Sequence, residues 1–431
     1  MTGVQTCALP ISHVGSHLEK LTGRKPGAPD AKDRVRDWAR RFAERAFRRP
    51  LSPELQTFFV DRHFEAAADL EAAARKVVLL ILKSPRFLYH DVATDAPAVA
   101  ARISFGLWDS IPDAELLEAA RKGQVSTAQD VARQAERMIP DLRTRAKMRQ
   151  FYQQWLQLDR LRELSKDQKR YPEFTEAIAS DLRTSLDLFL DDVTWSEASD
   201  FRQLLLADFV HLNGRLAKVY GAELPEDAAF QKVVPAGKHA GILTHPLLMA
   251  AFAYDSTTSP IHRGVFVARS LLGRRMRPPP EAVTPLSPDL HPDMTTRERT
   301  ALQTRSQTCQ SCHATINPLG FAMENFDAVG RFRKDEHGKP IDATGSYAAP
   351  GSEPARFTGA RELGELLARS EETQSAFIEH LFQHLVKQPV LAYGADRPSA
   401  LQKSFEQNAF SMRKLMVEVM VSTALAKGKN P

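Results

Sequence analysis

The sequence predicts a mostly α, multidomain protein. From about residue 36 to 225, apolar residues recur at intervals of three and four, the spacing of one helix face. The two-residue alternation of half-buried strands is nearly absent. The 431 residues also exceed one ordinary core and allow roughly two to four domains.

Taken in order, the chain opens on an unusual segment. Met1–Ser12 (MTGVQTCALPIS) lacks the basic start and apolar stretch of a secretory signal. It resembles translated adapter read-through, so a native N-terminal segment with any export signal is expected to be missing, and Cys7 is assigned no role. The arginines of Lys32–Arg49 read as the solvated face of a helix over 37–47, broken by Pro50. Ser52-Pro53-Glu54 restarts helix as N-cap, first-turn proline and early acidic residue. Further helices are expected at 69–83, 97–108, 113–121, 127–138, 142–157, 174–193 and 201–219. Within 174–193, Leu182, Leu186, Phe189, Leu190 and Val193 share one face.

The second half is less uniform. Spans 244–254 and 264–272 read as helix, and Arg277–Asp293 then holds six prolines. That run cannot be helical, because proline lacks the N–H and restricts its predecessor; polyproline II is expected there. Helix returns over 295–315. Lys334–Gly359, rich in Gly, Pro and polar residues, reads as a loop or small hairpin. Helices near 361–369, 373–387, 398–407 and 410–425 close the chain. The expected domains are a non-native or disordered stretch at 1–35, an N-terminal helical module at 36–95 and a second helical module at 96–235. A domain built around the cysteine motif follows at 236–335, and 336–431 combines the hairpin region with a C-terminal helical module.

Composition excludes several classes. Lys and Arg number 58 against 53 Asp and Glu, a net charge of +5. Spread over this length, that is too thin and too little clustered for a nucleic-acid stripe. Three cysteines cannot build a disulfide framework. Apolar runs such as Val77–Leu82 are far short of the roughly 20 residues of a membrane-spanning helix.

The chemistry concentrates in Cys309-Gln310-Ser311-Cys312-His313, the C-x-x-C-H sequence of c-type haem attachment. On a helix, positions i, i+3 and i+4 share one face, so both thiols and the imidazole can address one planar ligand. The thiols would form thioethers to one covalent haem c, and His313 would be the proximal iron ligand. Asn317-Pro318 is expected to break the helix just beyond, and a carbonyl in that turn to accept the other imidazole N–H. A zinc site wants a second ligand pair that the sequence lacks, and a thioredoxin-type pair wants a βαβ context. Unligated cysteines or a redox pair stay open as alternatives.

The sixth iron ligand would decide function. Met323 is the distal candidate, although a methionine beside Phe321 and Phe326 suits core filling as well. Other candidates are His245, His262 and the pair His380/His384, spaced i, i+4. Glu324 and Asp327 suit acid–base work, but are better read as helix caps or as partners of Arg331 and Arg333. No catalytic triad, phosphate loop or dinucleotide fingerprint stands out.

Cys309–Arg333 (CQSCHATINPLGFAMENFDAVGRFR) resembles the haem-domain signature of planctomycete-type multidomain cytochrome-c-like proteins, known chiefly as a series of domains of unknown function. The resemblance continues in Phe42–Leu51, Ala101–Leu116 with Gln154-Trp155-Leu156, Asp208–Gly221, Gly241–Thr244, Thr258–Gly273 and the closing helices, and so covers most of the chain. It implies export to the periplasm or an equivalent compartment, covalent haem and electron transfer with a redox partner protein. There are departures. Relatives usually carry Leu at the position of Met323, the closing module reads Leu391–Arg397 (LAYGADR) in place of a Tyr-Ala-Leu-Gly-Arg ending, and the His380/His384 pair is not a family feature. Two further readings stay open: a haem-dependent peroxidase or oxidase with open iron, and a binding or scaffold module of a surface complex.

Overall fold

The computed structural model describes residues 14, 17–23, 25, 27–65, 67–89, 93–159, 164–235, 239–276 and 293–426. The stub carrying Cys7 and the proline run through Pro292 lie outside these residues. Helix accounts for 61% and strand for 6%, so the fold is mostly α as expected. The chain divides into two compact units, Met1–Lys147 with Val417–Pro431, and Met148–Met416.

The first unit is built on α1 (Ala31–Phe47) and α2 (Leu70–Leu82). Val35, Ala39, Ala43 and Phe47 fall at every fourth position of α1, and this stripe is buried with Ala74, Val77, Val78 and Ile81 of α2 in one cluster. The arginines of α1 and of its C-cap, Arg48, divide in role. Arg34, Arg41 and Arg45 are exposed, whereas buried Arg48 donates to the carbonyls of Arg86, Phe87 and Tyr89 at 2.7–3.2 Å. Ser52 caps the next helix as expected, its Oγ accepting from Leu55 N. The unit continues through α3 (Ala96–Trp108), α4 (Ala114–Arg121) and α5 (Ala128–Met138). Trp108 donates to Met138 O at 3.2 Å, and Arg143 lies over its indole at 3.4 Å.

The helix α6 (Leu142–Trp155) contains the boundary, and α7 (Glu176–Trp195) opens the second unit's core. All five face residues expected for this span are buried. The expected helix at 201–219 is interrupted. A short turn at Gln203–Leu206 leads into β1 (Val210–Leu212), and α8 (Gly214–Tyr220) begins anew because Asn213 is extended and its Oδ1 caps Leu216 N at 2.9 Å. β1 pairs antiparallel with β2 (Gln231–Val233).

The remaining elements frame the cysteine motif. They are α9 (Pro246–Ala251), α10 (Pro260–Phe266) with a π turn at Val267–Leu271, α11 (Thr296–Gln303) and α12 (Gln307–Phe321). Two small antiparallel hairpins follow, β3 (Asp335–Glu336) with β4 (Lys339–Pro340), and β5 (Thr344–Tyr347) with β6 (Ala355–Thr358). They occupy the span expected as loop or hairpin. Then come α13 (Gly359–Arg369), α14 (Glu371–Val386), α15 (Arg397–Gln407) and α16 (Met412–Ala424).

Two features hold α12 in place. Gly264 of α10 and Gly320 of α12 let the helices touch backbone to backbone. A Cβ at Gly320 would lie 2.6 Å from the Pro260 carbonyl carbon, and one at Gly264 would lie 2.9 Å from that of Ile316. Beside this crossing, fully buried Arg263 donates to the carbonyls of Met323, Phe326 and Asp327 at 2.7–2.8 Å and of Met249 at 3.2 Å. Its Nη1 also meets Glu324 Oε1 at 3.4 Å. Burial outweighs Glu324's attraction and lowers the Arg263 pKa to about 10, which leaves it charged at neutral pH.

Candidate functional site

α12 begins later than the sequence suggests and runs further. Ser306 is extended, and its Oγ accepts from Cys309 N at 3.3 Å, so α11 and α12 are separate helices where one was expected over 295–315. Pro318 sits inside the helix and does not end it. A proline removes its own N–H from the ladder and its ring crowds the carbonyl four residues back; here that carbonyl belongs to Ala314, which is exposed. The expected break at Asn317-Pro318 is therefore corrected.

That continuation puts Asn317 one turn beyond His313 on the same face. His313 Nδ1 lies 2.9 Å from Asn317 Oδ1, and Asn317 Nδ2 lies 2.8 Å from Thr304 Oγ1. Thr304 Oγ1 donates its one hydrogen to Thr300 O at 2.8 Å, so it can only accept from Asn317. The amide must then present N–H to Thr304 and oxygen to His313. His313 in turn must donate from Nδ1, so in the neutral imidazole it is the Nε2 lone pair that can act as a ligand. The expected acceptor was a turn carbonyl; a side-chain amide within the helix takes that role. Gln310 Nε2 ties the same turn down by donating to Thr304 O at 2.6 Å.

Cys309 is half-buried and Cys312 exposed, both as free thiols. His313 lines a cleft of about 650 Å³ between α12 and the β5–β6 hairpin, a size usual for small-molecule and cofactor sites. Arg297, Phe321, Ser346 and Arg356 share its wall. Arg356 is exposed, and it has no ion-pair partner among the described residues. Neither thiol lines this cleft, but the two thiols three residues apart and the adjacent imidazole share α12, and that donor set fits a covalently attached haem.

The other candidates lie elsewhere. Met323 is fully buried, does not line this cleft, and its carbonyl accepts from Arg263. His245 caps α9, with Nδ1 accepting from Leu247 N at 3.3 Å and Nε2 3.3 Å from Ser185 Oγ; burial drives its pKa down to about 3. His262 sits on α10 with its ring 5.2 Å from Tyr254. His380 and His384 line a different cleft. Among the described residues, no three His, Cys, Asp or Glu side chains gather to hold a metal ion. Glu324 and Asp327 are structural partners. Glu324 accepts from Thr258 at 2.7 Å and pairs with Arg333 at 3.2 Å, while Asp327 pairs with Arg331 at 2.9 Å.

Residues 95–222 match the family model PSD4, described as a protein of unknown function (DUF1592). Residues 239–336, a span that contains Cys309–His313, match PSCyt3, described as a protein of unknown function (DUF1588). The chain is similar to multidomain cytochrome-like proteins. No curated protein and no solved structure gives a significant match. The first match runs from α3 through α8, and the second takes in the α10–α12 crossing and the thiol-bearing helix.

Sequence reasoning missed Thr304 and Arg263. Arg263 carried a signal, a cation placed directly before the apolar run Gly264–Ala268. Thr304 carried none, because its role depends on how α11 folds back beside α12.

Proposed function

We propose that this protein is an exported c-type cytochrome that carries one covalent haem and transfers electrons to or from a redox partner protein. The observation that carries the reading is the relay from Thr300 through Thr304 and Asn317 to His313, which makes Nδ1 the donor to Asn317 on the same helix that carries two free thiols. When bound, haem supplies a one-electron iron couple. Cys309 and Cys312 would hold it to α12 by thioether bonds. His313 would be its iron ligand through Nε2, and Asn317, by accepting from Nδ1, orients the imidazole and raises its basicity. Attachment of this kind belongs to the periplasm or an equivalent compartment, where we place the mature protein; among the described residues no helix is long and apolar enough to cross a membrane.

Cys309→Ala with Cys312→Ala is expected to abolish covalent haem when the chain is expressed behind an export signal with haem-maturation machinery. A haem stain on a denaturing gel reads the result, and haem retained by the double variant would refute the assignment. Asn317→Leu should keep the thioether-linked haem but weaken the proximal bond. Loss of such an outer partner commonly costs about 10–100-fold in metal binding. Spectral titration of the reduced protein with excess imidazole should show that much easier displacement of His313, and an unchanged titration would show that Asn317 does not act on the iron.

One observation favours a second reading, a haem-dependent oxidoreductase with an open sixth position. Besides His313, no His, Met, Cys or Lys lines the cleft among the described residues. Met323 would have to leave its buried place to serve as the distal ligand. A spectrum shifted by carbon monoxide supports the open site, and an unshifted one supports a six-coordinate carrier.

A further inference from the structure

The second unit has another cleft, of about 510 Å³, lined by the last turn of α6, the π turn at Val267–Leu271 and the C-terminal half of α14. Its wall carries Arg269, Lys387, His380 and His384, together with the amides of Gln154 and Gln157, and no Asp or Glu lines it. We propose that this cleft is a binding site for a small oxyanion, a carboxylate or phosphate group carried on a polar molecule. The proposal stands apart from the haem reading and shares no residue with it.

The charge balance comes first. Elsewhere in the second unit, arginines such as Arg202, Arg215 and Arg274 lie 3.0 Å or less from a carboxylate oxygen. Neither Arg269 nor Lys387 has a carboxylate partner among the described residues. Arg269 spends Nη2 on Met276 O at 3.0 Å, and Lys387 is exposed. Two unneutralised cations in a concave site focus a field that concentrates anions, and guanidinium and ammonium groups are the usual donors to carboxylate and phosphate oxygens.

The neighbours of these cations are held in place. His384 Nδ1 lies 3.0 Å from Gln154 Oε1. Gln157 Nε2 donates to Ser270 Oγ at 3.2 Å, and Trp155 Nε1 fastens the same turn through Ser270 O at 2.6 Å. The floor is therefore rigid, while Lys387 reaches in from the rim.

The backbone supplies an independent sign. Two lining residues adopt left-handed conformations without being glycine, Gln157 at φ 57° and Lys387 at φ 62°. Lys387 is the C-cap of α14, a position that glycine fills without steric cost. Side chains kept at strained positions around one cleft point to a use for those side chains.

The test is calorimetric titration of the full-length protein with inorganic phosphate and, separately, glucuronate, each against chloride at matched ionic strength. At least one oxyanion should bind above the chloride control, and Lys387→Gln should weaken it about fivefold, the effect of one partly exposed charge. Lys387→Gly should lose affinity equally while raising the melting temperature, which separates loss of the cation from damage to the fold. Phosphate binding alone assigns phosphate esters to the site, and glucuronate binding alone assigns carboxylated sugars. Binding of neither, or binding that Lys387→Gln leaves unchanged, overturns the proposal.

Discussion

Gly320→Ala should destabilise the second unit by about 3 kcal/mol, the upper end of the cost of overpacking a core. The reason lies in what the new methyl would meet. Its nearest neighbours are the carbonyl oxygen and carbon of Pro260, with Pro260 Cα at 3.0 Å. A flexible side chain could swing aside, but this obstacle is helix backbone. Relief requires α10 and α12 to part, and Gly264 against Ile316 resists one turn further along the same crossing. Urea denaturation checks the effect as a lower midpoint with an unchanged slope. A midpoint within error of the parent would mean that the helices slide apart at little cost.

Arg263→Met should cost about 3–5 kcal/mol, the range for breaking a buried ion pair from one side. Methionine fills much of the volume but offers no donors. Four carbonyls from three chain segments, Met249, Met323 and Phe326-Asp327, would lose the guanidinium, and Glu324 would keep only Thr258 and Arg333. Burial already pushes the Glu324 carboxyl above its usual range, against the pull of both arginines, so losing one arginine favours its neutral form. Adding Glu324→Gln to Arg263→Met should therefore recover part of the loss. Additive losses in that double-mutant cycle would show that the two side chains are not coupled.

The local rules were legible where a single segment decides its own structure. The face of α7 follows from its 3.6-residue period, and the Ser52-Pro53 restart follows from capping chemistry. The hairpins after Lys334 follow from the density of Gly, Pro and polar residues. Where distant segments decide, the sequence was silent or misleading. Ser259 caps α10 and Pro260 opens it, although the apolar run suggests a start at Gly264. Three-residue β1 and β2 are too short to show alternation. The triplet Cys309, Cys312 and His313 was visible from spacing alone, because one helix carries it. The amide that orients His313 was not, since a proline after Asn317 reads as a stop and only the packed helix shows otherwise.

The crossing at Gly264 and Gly320 also constrains how this sequence can change over time. Each glycine faces the other helix's main chain, so neither position can acquire a side chain by a local adjustment. A descendant that does so must shift the whole of α12, and both thiols and the imidazole travel with it. Drift at these two distant positions is therefore tied to the placement of Cys309, Cys312 and His313, and a substitution that looks harmless on paper becomes a relocation of the reactive helix.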